Sequence, residues 1–267
     1  MPKVLVFNGW AAGPEAWLLT TFPRDWTFSY IEELDGLPEW VMEDSDEVIL
    51  VGFSMGGSMA LGTYLKYPEK VKGMVLVSAT PCMLEKKSEG WAGMSERRFR
   101  AFAAGVELMF GEDPAPWYEP KQLARGLEYL LKTDLRKDLE GLLGDAAGET
   151  HRGTKPVPCR GTKPVPCRGA MPAPCRGAMP APYRGASSPA ASPSNLSSIP
   201  VHIFHSTRDG VVRPQNAAYL KSLFPQAKVT MVEGAEHVLP VTIPEQIDAA
   251  VNGILDGLES LEGQDWL

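Results

Sequence analysis

The string Gly52-Phe53-Ser54-Met55-Gly56 follows the apolar run Val48–Val51 and leads straight into Gly57-Ser58-Met59-Ala60-Leu61. A serine between two glycines, at a turn from strand to helix, is the pattern of a nucleophile elbow. Such a turn forces the serine into a strained backbone conformation and exposes its hydroxyl, and glycine flanks let strand and helix pack closely. Glycine and serine also crowd ordinary turns, so the string alone is a modest signal. The strand-like run before it and the proline-free stretch up to Pro68 after it strengthen the reading.

A serine nucleophile at neutral pH needs a base to take its proton and a carboxylate to hold that base in the right tautomer. Four histidines are available. His151 abuts a proline-rich tract, and His202 and His205 fall inside an apolar run that reads as a strand. His237 lies in Gly234-Ala235-Glu236-His237-Val238-Leu239-Pro240, between a strand-like run and the last helix. Asp209 lies in Ser206-Thr207-Arg208-Asp209-Gly210, directly after the run Val201–His205. Ser54, Asp209 and His237 thus occur in the order serine, acid, histidine, each past the carboxyl end of a strand. A surface loop histidine and an aspartate that only forms a turn are the plainer alternatives.

Acyl chemistry also needs donors for an oxyanion. The backbone N–H of Met55, the residue after the serine, is one candidate. The turn Asn8-Gly9-Trp10-Ala11-Ala12-Gly13 follows the first strand and offers the Trp10 N–H as the second, with the indole left to wall an acyl pocket. The plainer alternative is a Trp10 that is simply a packed aromatic. This chemistry calls for no metal and no organic cofactor.

These groups need a scaffold that gathers strand ends. Apolar strands are expected at Val4–Asn8, Val48–Val51, Met74–Ser78, Val201–Ser206 and Val229–Val232, with helices at Ser58–Lys66, Gln215–Leu223 and Glu245–Leu258. Strand and helix in alternation give an α/β class with a mainly parallel, doubly wound sheet. Residues 81–143 break that rhythm, with helices near Ser95–Met109 and Pro120–Thr133 and no clear strand. Helices inserted there would cover the crevice at the carboxyl ends of the strands, as a lid. On the second of them Leu123, Leu127, Leu130 and Leu131 share one face, and Lys121, Arg125 and Lys132 share another with Glu128; Arg136 and Lys137 follow. That basic face is either a solvated helix surface or a dock for an acidic partner.

Between Gly144 and Ser198 the periodicity gives way to an eight-residue repeat: Arg152–Cys159, Arg160–Cys167, Arg168–Cys175 and a fourth copy ending at Tyr183. Two prolines per unit leave no face to bury, so the tract is expected to be extended and disordered. Its cysteines recur every eight residues without a Cys-x-x-Cys pair, which argues against a zinc site. The expected organisation is a core of residues 1–80 and 199–267, a helical lid at 81–143 and a disordered insertion at 144–198. The formal charge is −7, although residues 152–185 carry seven basic side chains and no acidic one, which leaves the remainder at about −14. So acidic a body argues against a nucleic-acid-binding protein. The amino-terminal apolar run is too short for a secretory signal or a membrane span, so a place in the cytoplasm, free of membrane, is the expectation; a monomer is expected as well.

The same stretches give the chain a family likeness. It resembles the α/β-hydrolases, and more narrowly the pimeloyl-acyl-carrier-protein methyl ester esterases. The likeness rests on Asn8-Gly9-Trp10 with Glu15-Ala16-Trp17, on Gly52-Phe53-Ser54-Met55-Gly56-Gly57, and on Ser78-Ala79-Thr80-Pro81-Cys82 with Trp91-Ala92-Gly93. The run from Gly126 to Arg136 completes it. Asn8 stands where many members carry histidine, and the chain starts at the strand Val4–Asn8 without the two leading edge strands common in the family. The resemblance implies a serine carboxylesterase acting on a pimeloyl methyl ester presented by an acidic acyl carrier protein. It makes Lys121, Arg125 and Arg136 docking candidates. A thioesterase, lactonase or carboxylesterase of other substrate, and a non-catalytic binding module on the same fold, are the competing readings.

Overall fold

The computed structural model describes residues 2–22, 27–29, 47–110, 120–148 and 199–262. The octapeptide repeat and His151 lie outside the described residues.

Among the described residues six parallel strands form one sheet: β1 (Lys3–Phe7), β2 (Thr27–Ser29), β3 (Val48–Phe53), β4 (Val71–Val77), β5 (Val201–Ser206) and β6 (Lys228–Val232). Their spatial order is β2-β1-β3-β4-β5-β6. All five pairings are parallel. A central parallel strand is covered on both faces and reads as an unbroken apolar run. The sequence Val-Ile-Leu-Val-Gly-Phe of β3 is accordingly buried throughout.

The helices are α1 (Met55–Lys66), α2 (Glu96–Phe110), α3 (Pro120–Lys132), α4 (Arg136–Gly148), α5 (Gln215–Leu223) and α6 (Pro244–Glu262). The pleat splits the core into two layers. On one face Leu5, Leu50, Met74 and Ile203 pack with Met59 and Leu61 of α1 and Leu220 of α5. On the other Val6, Val51, Val75 and Phe204 pack with Ile247, Val251 and Ile254 of α6. Phe99, Leu123, Leu130 and Leu139, from the helices between β4 and β5, extend the first layer.

The alternation of strand and helix therefore gives the α/β sheet expected of it, with three differences. The sheet gains β2 at its edge. Helix α4 was not anticipated, and it runs through Gly148, so helix occupies the first residues of a segment expected to lack order. Helix α1 begins at Met55, three residues before the expected start, directly at the serine turn.

The strand order itself locates a crevice. From β1 the chain moves outward to β2 and then returns across β1 to β3, so the loops leaving β1 and β3 part in opposite directions. Ligands bind at such a switch point, beyond the carboxyl ends of the strands. Trp10 follows β1 and Ser54 follows β3.

Candidate active site

Ser54 takes φ 55° and ψ −114° between β3 and α1. A serine in such a sparsely populated conformation costs about 1–3 kcal/mol, and it persists only where its surroundings enforce it. Here two glycines do so. A Cβ on Gly52 would lie 2.5 Å from the carbonyl oxygen of Gly56, and one on Gly56 would lie 2.1 Å from that of Phe7. No side chain fits at either position, which is why the elbow is spelled Gly-x-Ser-x-Gly. A serine at this N-cap place ordinarily accepts an N–H from its own helix. Ser54 makes no such bond.

Its hydroxyl is 2.8 Å from Nε2 of His237 instead. The other imidazole nitrogen, Nδ1, is 2.8 Å from Oδ2 of Asp209. A carboxylate can only accept, so Nδ1–H donates to Asp209 and Nε2 is left as acceptor for the serine O–H. Oδ1 of Asp209 accepts the N–H groups of Val211 at 2.9 Å and Val212 at 2.8 Å. Burial disfavours the charge on Asp209, but the imidazole and these two N–H groups outweigh it and hold the carboxyl below its ordinary range. Phe53 packs beside the imidazole, with ring centroids 5.2 Å apart.

Above this relay lies a cavity of about 280 Å³. Ser54 and His237 reach it from below, while Trp10, Met83, Phe99, Phe102, Leu130 and Val211 supply most of its wall. Among the described residues the wall carries no charged side chain, so the cavity suits an uncharged acyl chain. Phe99 and Phe102 stand one helical turn apart on α2, a spacing the sequence displays and that identifies a cavity-facing stripe in hindsight. Trp10 lines the cavity as expected, and its indole Nε1–H also donates to the carbonyl of Leu123 at 2.9 Å. That bond ties the turn after β1 to α3. Met55 is the first residue of α1, where helical N–H groups have no intrahelical acceptor.

Asn8 is buried, and its Oδ1 accepts the indole N–H of Trp17 at 2.7 Å. His205 is fully buried within β5, and burial lowers its pKa; His202 is half-buried and shifted the same way for the same reason. Neither touches the serine. Cys82 is buried too, which pushes its thiol up to about 11 and leaves it a poor nucleophile.

The basic positions separate. Lys121 and Arg125 are exposed on α3. Arg136 is a correction to the docking expectation, because its side chain is only 9% exposed and points inward. Its guanidinium forks onto Asp134 at 2.8 and 2.7 Å, reaches Glu89 at 2.7 Å and stacks 4.9 Å from the centre of the Trp91 ring. Trp91 meets Tyr219 of α5 edge-on, and the Tyr219 hydroxyl donates to Glu140 of α4 at 2.8 Å. Arg136 is thus a clasp inside the helical segment. No helix among the described residues is long and apolar enough to cross a membrane.

An all-parallel sheet with a serine elbow, an acid and a histidine at its carboxyl rim defines a class of fold. The chain belongs to the α/β-hydrolases: the model described as "Alpha/beta hydrolase family" matches residues 6–250. Among curated relatives, it is 29% identical over 90 residues to a pimeloyl-[acyl-carrier protein] methyl ester esterase of Shewanella woodyi. That match covers 32% of this chain and 35% of the relative, so the chain spans about a third of its length. A protein of the same description from Nitrosomonas europaea is 21% identical over 262 residues, with 92% of each chain covered. Among solved structures, an esterase from Exiguobacterium antarcticum aligns with a TM-score of 0.60 at 13% identity, covering 95% of this chain and 92% of its own. A bromoperoxidase from Bacillus anthracis aligns with 0.59 at 17%, covering 96% and 92%. At such identities the structural likeness speaks for the fold alone.

Proposed function

We propose that this chain is a serine carboxylesterase whose nucleophile is Ser54, whose base is His237 and whose orienting acid is Asp209. One observation carries the reading: a single imidazole stands 2.8 Å from a strained serine hydroxyl and 2.8 Å from a buried carboxylate, at the floor of an apolar cavity. As Ser54 Oγ attacks an ester carbonyl, its proton passes to Nε2 of His237. The N–H groups of Met55 and Trp10 hold the oxyanion. Collapse of the intermediate breaks the bond to the alcohol, which leaves with that proton. Water then gives a proton to the same nitrogen and attacks the acyl-enzyme; the bond from the acyl carbon to Ser54 Oγ breaks, that oxygen takes the proton back, and the acid departs. Asp209 keeps the imidazole in one tautomer throughout.

The substrate we propose is a pimeloyl methyl ester carried by an acyl carrier protein, as the relatives' description and an uncharged, acyl-sized cavity both favour. The helices over the cavity act as its lid, and Lys121 and Arg125 on α3 are the docking candidates for the carrier. A broader carboxylesterase is the second reading, favoured by a wall that selects by bulk alone. Ser54→Ala abolishes hydrolysis of short p-nitrophenyl esters if the mechanism is right, and undiminished turnover excludes it. Growth of a strain lacking its pimeloyl ester esterase, rescued by the parent chain and not by Ser54→Ala, separates the two substrates. Activity on model esters without rescue leaves the broader esterase.

A further inference from the structure

At the carboxyl end of β4, two consecutive residues touch the backbones of the two residues that share the proton. The carbonyl of Val77 accepts the N–H of Ser54 at 2.9 Å. The hydroxyl of Ser78 donates to the carbonyl of His237 at 2.9 Å. Ser78 is fully buried, and its own N–H is committed to the carbonyl of Phe204 on β5 at 2.8 Å. Its φ is +47°, in the left-handed region that a serine enters only at a cost. A polar, strained residue therefore ends a strand whose preceding four residues, Met74 to Val77, are apolar and buried.

His237 needs such a support. It sits in the loop between β6 and the short turn Leu239–Val241, outside regular structure. Its carbonyl also accepts the N–H of Leu239 at 3.0 Å, a bond to a buried neighbour two residues on that does not reach the strand tip holding Ser54. Ser78 joins the loop to the strand tip that also holds Ser54, so one rigid element sets the separation of nucleophile and base. Upstream in the loop, the hydroxyl of Ser206 at the end of β5 donates to the carbonyl of Ala235, which steadies the approach to His237 but not His237 itself.

We propose that Ser78 is a positioning residue for proton transfer: its hydroxyl fixes the main chain of His237 at the distance from Ser54 that the reaction needs, and it takes no part in binding substrate. The inference rests on the esterase reading above. Its test is Ser78→Gly and Ser78→Ala in the full chain, with kcat, KM and Tm measured on a p-nitrophenyl ester. Both changes delete the hydroxyl, but glycine also relieves the positive φ whereas alanine retains it. In both variants kcat falls about tenfold or more, because small displacements of a reacting group are costly, while KM stays within about twofold. Unchanged kcat in either folded variant overturns the proposal. A fall in kcat confined to the variant of lower Tm overturns it too, since that is loss of fold. Failure of the esterase reading is seen separately: the parent chain then neither turns over the ester nor reacts with a fluorophosphonate.

Discussion

At the carboxyl rim of the sheet, Ser54, Asp209 and His237 are held by backbone: a strained turn, paired N–H groups on a carboxylate, and strand tips that touch the loops. The helical segment above them has one such backbone tie, from the Leu135 N–H to the Pro81 carbonyl at 2.9 Å, and side chains add the longer-range ones. Arg136 gathers Asp134, Glu89 and Trp91, and the Trp10 indole reaches up to Leu123. Backbone geometry fixes positions closely, as proton transfer requires. Side-chain clasps turn on several rotatable bonds and fix position less closely. The contrast predicts that damage at the rim appears in turnover and damage in the cover appears in stability and substrate affinity.

The largest effect expected is at the rim. Asp209→Asn keeps the size of the acid and two acceptor-side contacts but reverses the tautomer preference of His237, so kcat falls by about 10⁴-fold with little change in KM. Steady-state kinetics on a p-nitrophenyl ester measures this. A loss of less than about tenfold would mean that the imidazole does not depend on that carboxylate, and the rim would lose its claim to rigidity.

The same comparison explains what could be read in the sequence. Ser54, Asp209 and His237 each follow an apolar run, and a parallel sheet sends every such run to the same edge, so local text sufficed to bring the three together. The cover is different. Arg136 follows an amphipathic helix and reads as one more basic surface residue, yet Glu89, its partner 47 residues upstream, lies in a stretch with no periodicity to announce a contact. Helix α4 was hidden by Gly141 and Gly144 and by its run into the proline-rich tract. Strand β2 is three residues long, too short for an alternation to show. The start of α1 is hidden in the sequence because Gly56 and Gly57 look like loop, whereas close packing on Phe7 and Ala79 demands them.

An intermediate effect is expected in the cover. Arg136→Met fills similar volume but leaves Asp134 and Glu89 without their cation. Their side chains are 28% and 45% exposed, so water recovers part of the loss, and the destabilisation is about 2 kcal/mol, less than for a fully buried pair. Urea unfolding reports it. Turnover at saturating ester stays within about threefold of the parent, and any rise falls on KM. A kcat reduced as far as in Asp209→Asn would erase the distinction between the two regions.

The smallest effect separates the regions by pH. His205 is buried at the rim with its pKa lowered by burial, and His202 is shifted the same way. Below the ordinary histidine value of about 6.5, the unfolded chain binds a proton that the native state refuses, so stability falls as pH falls through that range. Each such group contributes at most about 1.4 kcal/mol per pH unit. The clasp behaves otherwise. The hydrogen bond from Arg136 lowers the pKa of Asp134, so its contribution is fully present above the unfolded carboxylate value of about 3.9 and is lost only as pH falls further. Acidification from pH 7.5 to 5.5 therefore weakens the rim strand before it touches the cover. Urea midpoints at those two values should drop in the parent and drop less in His205→Gln, with His202 responsible for the remainder; an equal drop in both would place the acid sensitivity elsewhere than in the buried imidazole beside the relay.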